Sequence, residues 1–336
     1  MQKGTNVMRK RFCTALLGCL LLVFTAACGS GGTSTVKLAE VTRSLFYAPQ
    51  YVAIEKGFFE EQGIDIKLQT AWGGDKTMTA LLSDGADIAL VGSETSIYVQ
   101  ARGSKDKVIN FAQLTQTDGT FLVAKEPNPN FEWQDLKNTT FLGQRVGGMP
   151  QMAGEYVLKK HDINPETDLN LIQNVDFANI PGAFASGDAQ YVQLFEPTAS
   201  TFEKEGKGHI VASFGKESGH VPYTTFMTKE SFMTNNEKTV KNFTKAVHKA
   251  QKWVQEHSAK EIAKVIQPYF EDTELEILAS SVDRYKSQGS FALDPILDKD
   301  EWNNLKDIMD EAGELPEDVP YKTLVNTQIA EEVIGD

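Results

Sequence analysis

The sequence predicts an α/β fold of two similar lobes followed by a helical C-terminal part. Three observations lead there. From Val36 a short apolar run, a glycine-marked turn and an amphipathic helix alternate, the pattern of helices layered on a mainly parallel sheet. The same grammar then returns. Trp72-Gly73-Gly74 ahead of Asp75 to Met78 is echoed by Val146-Gly147-Gly148 ahead of Met149 to Met152, and Ser83 to Gly92 is echoed by Ala185 to Phe195. After about Glu237 no strand pattern comes back, and apolar residues recur near helical spacing at Val240, Phe243, Val247 and Trp253, at Leu275, Leu278 and Val282, and at Trp302, Leu305, Ile308 and Met309.

The elements follow in chain order. Lys3, Arg9, Lys10 and Arg11 precede an apolar run from Phe12 to Phe24, which gives way to Thr25-Ala26-Ala27 before Cys28. Residues 1–27 therefore read as a secretory signal peptide. The run is shorter than the roughly 20 residues that a membrane-spanning helix needs. Cys28, with small residues on both sides, resembles the cysteine of a bacterial lipobox, which is lipidated and becomes the new N-terminus. Thr25 stands where that motif has an aliphatic residue, and ordinary secretion with a free Cys28 is the alternative. Residues 28–35 read as a lipidated N-terminus and a flexible Gly/Ser/Thr tether.

Val36 to Val41 is then a strand, Ala48 to Phe59 a helix with Gly57 near its end, and Ile64 to Leu68 a strand. Asp75 to Leu82 is a helix entered from Gly73-Gly74, and Asp87 to Val91 a strand entered from Gly85. Gly119 to Lys125 and Val221 to Lys229 read as extended segments that cross between the lobes. Lobe one comprises 36–118 and 226–336, with the helical part packed on it, and lobe two 119–225.

Charge and cysteine content exclude several function classes. The 336 residues include 33 basic and 46 acidic side chains; without the four basic residues of the leader, 29 remain against 46, a net charge of −17. No broad basic face is left for nucleic acid. Cys13 and Cys19 depart with the leader, so no intrachain disulfide forms and a thiolate metal site or iron–sulfur cluster is excluded. The five histidines, His161, His209, His220, His248 and His257, include no pair at zinc-type spacing. Neither a metal nor a cofactor is expected.

The stretch Tyr47-Ala48-Pro49-Gln50-Tyr51-Val52-Ala53-Ile54-Glu55-Lys56-Gly57-Phe58-Phe59 resembles the opening motif of the binding proteins of ABC importers for nitrate, sulfonates and thiamine-pyrimidine precursors. Glu60 to Ile66 extends the resemblance, as does Gly85-Ala86-Asp87-Ile88-Ala89; it is strongest over Val36 to Val91 and weaker to about residue 250. It implies a periplasmic-binding-protein type II fold, two α/β lobes on a hinge with an interlobe ligand cleft. It also implies a monomer that presents its ligand to a membrane permease with its ATPase, held at the outer membrane surface by the N-terminal lipid.

Turns at the strand ends supply the candidate contacts. Gly92, Ser93, Glu94 and Thr95 follow a strand and open a helix, where backbone N–H groups gather positive charge; a plain N-cap is the alternative. Gly147, Gly148 and Met149 offer the matching site on lobe two. Trp72, before Gly73 and Gly74, is a stacking platform or a core-edge aromatic, and its place in a turn favours the platform. Phe46 and Tyr47 follow the first strand, where this family often contacts ligand. Asp118 and Thr120 at the first crossover and Tyr223 at the second are ligand contacts or hinge structure. Glu196 meets a ligand N–H or a protein donor such as Arg145. Arg43 and Lys76 are the cations nearest the lobe-one turns.

With three acids and several aromatics near the expected cleft, an aminopyrimidine-like heterocycle is favoured over a sulfonate or nitrate. The competing class is an enzyme. The thiamine-pyrimidine synthases of fungi resemble the same proteins, but they carry a cysteine-rich motif that this chain lacks.

Overall fold

Ten strands form two five-stranded sheets in a computed structural model that describes residues 33–335. The signal peptide, Cys28 and most of the tether lie outside the described residues. The strands are β1 (Ser34–Glu40), β2 (Ile64–Thr70), β3 (Ile88–Gly92), β4 (Val108–Thr115), β5 (Thr120–Ala124), β6 (Thr140–Leu142), β7 (Asn170–Ile172), β8 (Tyr191–Phe195), β9 (His209–Ser213) and β10 (Thr224–Lys229). The first sheet has the order β2-β1-β3-β10-β4 and the second β7-β6-β8-β5-β9. Each sheet, with its helices, is one lobe.

β1 begins earlier than the apolar pattern suggests. Ser34 and Thr35, read as tether, pair in register with Ile64 and Asp65, and the Ser34 N–H bonds Gly63 O at 2.9 Å. Polar residues extend the strand because β2 offers them backbone partners.

The sheets are mainly parallel but mixed, with four strands of each running one way and one running against them. β1, β2 and β3 run parallel, as do β6, β7 and β8, but β10 is antiparallel to β3 and β4, and β5 to β8 and β9. The reason is connectivity. The other central strands end at the cleft, whereas β5 and β10 receive the chain as it crosses from the other lobe, so they start at the cleft and run away from it.

The helices of lobe one are α1 (Ala48–Glu55), α2 (Phe58–Glu61), α3 (Gly74–Leu82) and α4 (Glu94–Ala101). The single helix expected over 48–59 is two, because Gly57 at φ +71° steps out of the helical region between them. Lobe two carries α5 (Met149–Lys160), α6 (Ile180–Ser186), α7 (Thr198–Lys204) and α8 (Phe214–Ser218).

The chain then continues through α9 (Glu230–Asn235), α10 (Glu237–Glu256), α11 (Ala259–Ile266), α12 (Leu275–Ser287), α13 (Lys299–Glu311), α14 (Tyr321–Leu324) and α15 (Gln328–Gly335). α10 buries Val240, Phe243, Val247, Ala250 and Val254, residues three and four apart that form one stripe. The Phe243 ring lies 4.8 Å from Phe59, 4.9 Å from Phe226 and 5.9 Å from Phe111, which fixes α10 to lobe one. A capping box of Ser258 and Glu261 starts α11. The C-terminal part is not free of β pairing: Phe291 and Val325 make single bridges to Thr115 and Asn110 of β4, covering the edge of the first sheet.

Candidate functional site

A cavity of about 390 Å³ opens where the strand ends of the two lobes meet. Three helices start at its walls, α3 and α4 from lobe one and α5 from lobe two, with Gly73 and Gly148 as the N-caps of α3 and α5. The two echoing Gly-Gly pairs are therefore opposite walls of one site. Trp72 stands beside the first pair at φ +59°, half-exposed, and Val146 holds the equivalent place on the other lobe. Trp72 is thus a rim residue and not part of the core.

Of the residues proposed from sequence, Tyr47, Trp72, Gly73, Gly74, Gly92, Glu94, Thr95, Gly147, Gly148, Met149 and Tyr223 line this cavity. Lys76 lies exposed at its rim.

Among the described residues Glu94 is its one buried charged side chain. It is the first residue of α4 and only 4% exposed. Its Oε1 accepts the Met149 N–H at 3.3 Å, a bond that joins the lobes, while Oε2 has no hydrogen-bond partner. Burial pushes the carboxyl up to about 7, against the opposing pull of two backbone N–H groups, its own and that of Met149. Gly92 makes this posture possible: a Cβ there would sit 2.1 Å from Glu94 Oε2.

A second free acceptor comes from lobe two. Gln144 donates its Nε2 hydrogen to Gln193 O at 2.7 Å, which assigns the amide and leaves a buried Oε1 unpartnered at the cavity wall. Phe177 and Phe195, with ring centroids 5.9 Å apart, add an aromatic surface. Sequence reasoning missed Gln144, Phe177, Phe195 and Thr224. The three residues of β6 are too few to announce a strand, so the signal that Gln144 follows a strand end was weak.

The remaining candidates sit behind the cavity. Phe46 is buried and braces the wall, its ring 5.5 Å from Tyr223, 5.9 Å from Phe195 and 5.2 Å from Tyr285. Ser93 is fully buried at the N-cap of α4. Asp118, also fully buried, accepts the N–H and hydroxyl of Thr120; burial pushes its carboxyl up to about 6. Thr120 in turn accepts from Gln193 Nε2 at 2.7 Å. Both belong to the crossover.

Glu196 is turned away from the cavity. It accepts the N–H and hydroxyl of Ser200 at 2.9 and 2.8 Å and pairs with Arg284 at 3.4 Å, so α7 and α12 supply the donors that a buried carboxylate needs. Arg145 is not its partner; it pairs with Asp75 across the cleft at 3.1 Å and with Asp176 at 3.6 Å. Arg43 is withdrawn too, paired with Glu40 at 3.4 Å and placed over the rings of Tyr51 and Tyr269.

The lobes touch at several points around the site. Besides Glu94–Met149 and Arg145–Asp75, the Tyr98 hydroxyl reaches Met152 Sδ at 3.7 Å and Lys159 Nζ donates to Glu311 O. Among the described residues no cluster of three or more His, Cys, Asp and Glu is placed to hold a metal ion.

The sequence pattern of the NMT1-like family matches residues 32–267. Over 324 residues the chain is 62% identical to YtlA of Bacillus subtilis (strain 168), a candidate binding protein by its name, with 96% of this chain and 97% of that protein covered. A solved structure of a protein from Bordetella bronchiseptica RB50 superposes with a TM-score of 0.73 at 21% identity, covering 90% of this chain and 97% of that one. The alkanesulfonate-binding protein SsuA from Xanthomonas axonopodis pv. citri, bound to MOPS, superposes with a TM-score of 0.70 at 14% identity, covering 89% and 100%. At these identities the solved structures share the fold with this chain.

Proposed function

Since the chain belongs to the NMT1-like family, we propose that it is an extracytoplasmic solute-binding protein of an ABC importer, which closes two lobes over a small organic nutrient and delivers it to a membrane permease. The observation that carries this reading is the cavity itself, walled by both lobes and crossed by the Glu94–Met149 bond. Binding and closure then share one surface. The leader would direct export, and a lipid on Cys28 would hold the monomer at the outer face of the cell membrane.

The ligand is best read as an amino-bearing heterocycle. Trp72, Phe177 and Phe195 offer ring surfaces, and the free oxygens of Glu94 and Gln144 accept N–H donors from either side. A sulfonate is the second reading, favoured by the three helix N-termini at the cavity and by the MOPS-bound relative in fold. The withdrawal of Arg43 and the pairing of Arg145 count against it. An enzymatic role has less support, because among the described residues no cysteine or histidine lines the cavity.

A thermal-shift screen of ligand-stripped protein tests the reading with aminopyrimidines, thiamine, sulfonates and nitrate. Ligand at a hundredfold excess over Kd stabilises by about 2.7 kcal/mol, enough to raise Tm by several degrees. Heterocycles alone are expected to do so, and Trp72→Ala to weaken them about tenfold while leaving the unliganded Tm unchanged. A shift with sulfonates alone would hand the site to the second reading.

A further inference from the structure

We infer that Glu94 is the specificity-determining residue of the cleft, admitting solutes that present a cationic N–H donor, such as an amidinium or a protonated aminoheterocycle, and rejecting oxyanions. The inference rests on the solute-binding reading and names the class of solute.

The anion position at the start of α5 is already filled by the protein. The N–H of Met149, in the first turn of α5, is where an oxyanion would dock, and it is taken by Glu94 Oε1. The other oxygen, Oε2, is buried and unpartnered in a wall of the cavity. An oxyanion there would lie against a carboxylate; a cationic donor would supply what that carboxylate lacks. Gln144 Oε1, buried and unpartnered on the wall from the other lobe, is a second acceptor for N–H groups of the solute, and an amidinium offers two NH2 groups.

Among the described residues no cation pairs with Glu94 Oε2. The groups around Glu94 are Tyr98 on its own helix, Tyr47 after β1, and Tyr223 at the second crossover, with Asp118 behind it; at the rim stand Asp75, Lys76, Arg145 and Asp176, with Glu314 beyond Tyr98. Arg145 is held between Asp75 and Asp176. Lys76 is exposed at the rim. The burial that holds the empty carboxyl near 7 means that a cation entering the site displaces a proton. Because Glu94 also holds Met149 of the other lobe, the contact that selects the solute is part of the contact that closes the cleft.

Calorimetric titration with benzamidine, cationic throughout, and benzenesulfonate, similar in shape and anionic throughout, tests this at pH 6 and pH 8. Glu94 goes from about one-tenth to about nine-tenths ionised between these values, so benzamidine should bind about tenfold tighter at pH 8, and should release about one proton on binding at pH 6 and almost none at pH 8. Glu94→Gln should weaken benzamidine at least tenfold and flatten its pH dependence, while benzenesulfonate gains. Equal benzamidine affinity at both pH values in the wild type, or wild-type affinity for benzamidine in Glu94→Gln, overturns the inference. Binding of benzenesulfonate with silence from benzamidine also overturns it, yet leaves the solute-binding reading standing; silence from both counts against the two together.

Discussion

Glu94 weakens the empty protein as the pH rises. Its folded carboxyl titrates near 7 against an ordinary 4.5, so the native state is most favoured while the group is protonated and loses stability as pH climbs from about 4.5 through 7. A rise of this size corresponds to on the order of 3 kcal/mol at about 1.4 kcal/mol per unit. Asp118, pushed up to about 6, acts in the same direction. Glu94→Gln is therefore expected to be more stable than wild type at pH 8 and little different at pH 5, as read from urea unfolding of the unliganded protein. Equal stability at pH 8 would mean that water reaches the carboxylate in solution.

Among the elements, α12 does more than its amphipathic pattern announces. The hydroxyl of its Tyr285 donates to Gly119 O at 2.8 Å and accepts the Glu196 N–H at 3.1 Å, while Arg284 pairs with Glu196. Tyr285→Phe removes both hydrogen bonds and leaves buried backbone groups unpaired, which should lower stability by about 1–3 kcal/mol in urea unfolding.

The helix itself was legible from Leu275, Leu278 and Val282. Its partners were not, since Glu196 and Arg284 are far apart in sequence and a buried carboxylate does not name its donor. The strands show the same division. Local apolar runs located β1, β2 and β3 to within two residues, but the antiparallel direction of β5 and β10 depends on which side the chain enters a sheet from, and no local pattern records that. In the cleft, the echoing glycine pairs marked both walls because helix starts leave a compositional trace. Gln144 left none, a single amide beyond a strand of three residues.

At the scale of the whole molecule, two lobes are joined where the chain crosses from β4 to β5 and back from α8 to β10. Anchoring is expected to be independent of capture. Cys28→Ser should shift the protein from the membrane fraction to the medium without changing ligand affinity, as judged by fractionation and titration; continued membrane retention would remove lipidation from the account.

The bonds of Tyr285 bear on how such a body moves. A door on two hinges swings about the line through them, and a third hinge set off that line would jam it. Tyr285 adds a third point, reaching Gly119 beside one crossover and Glu196 at the end of β8, with Phe46 packed among Tyr223 and Tyr285. Its bonds survive opening only if the axis of rotation passes close to this cluster. An opening that keeps them is confined to a single arc with little freedom to twist, so that open and closed forms differ by one angle.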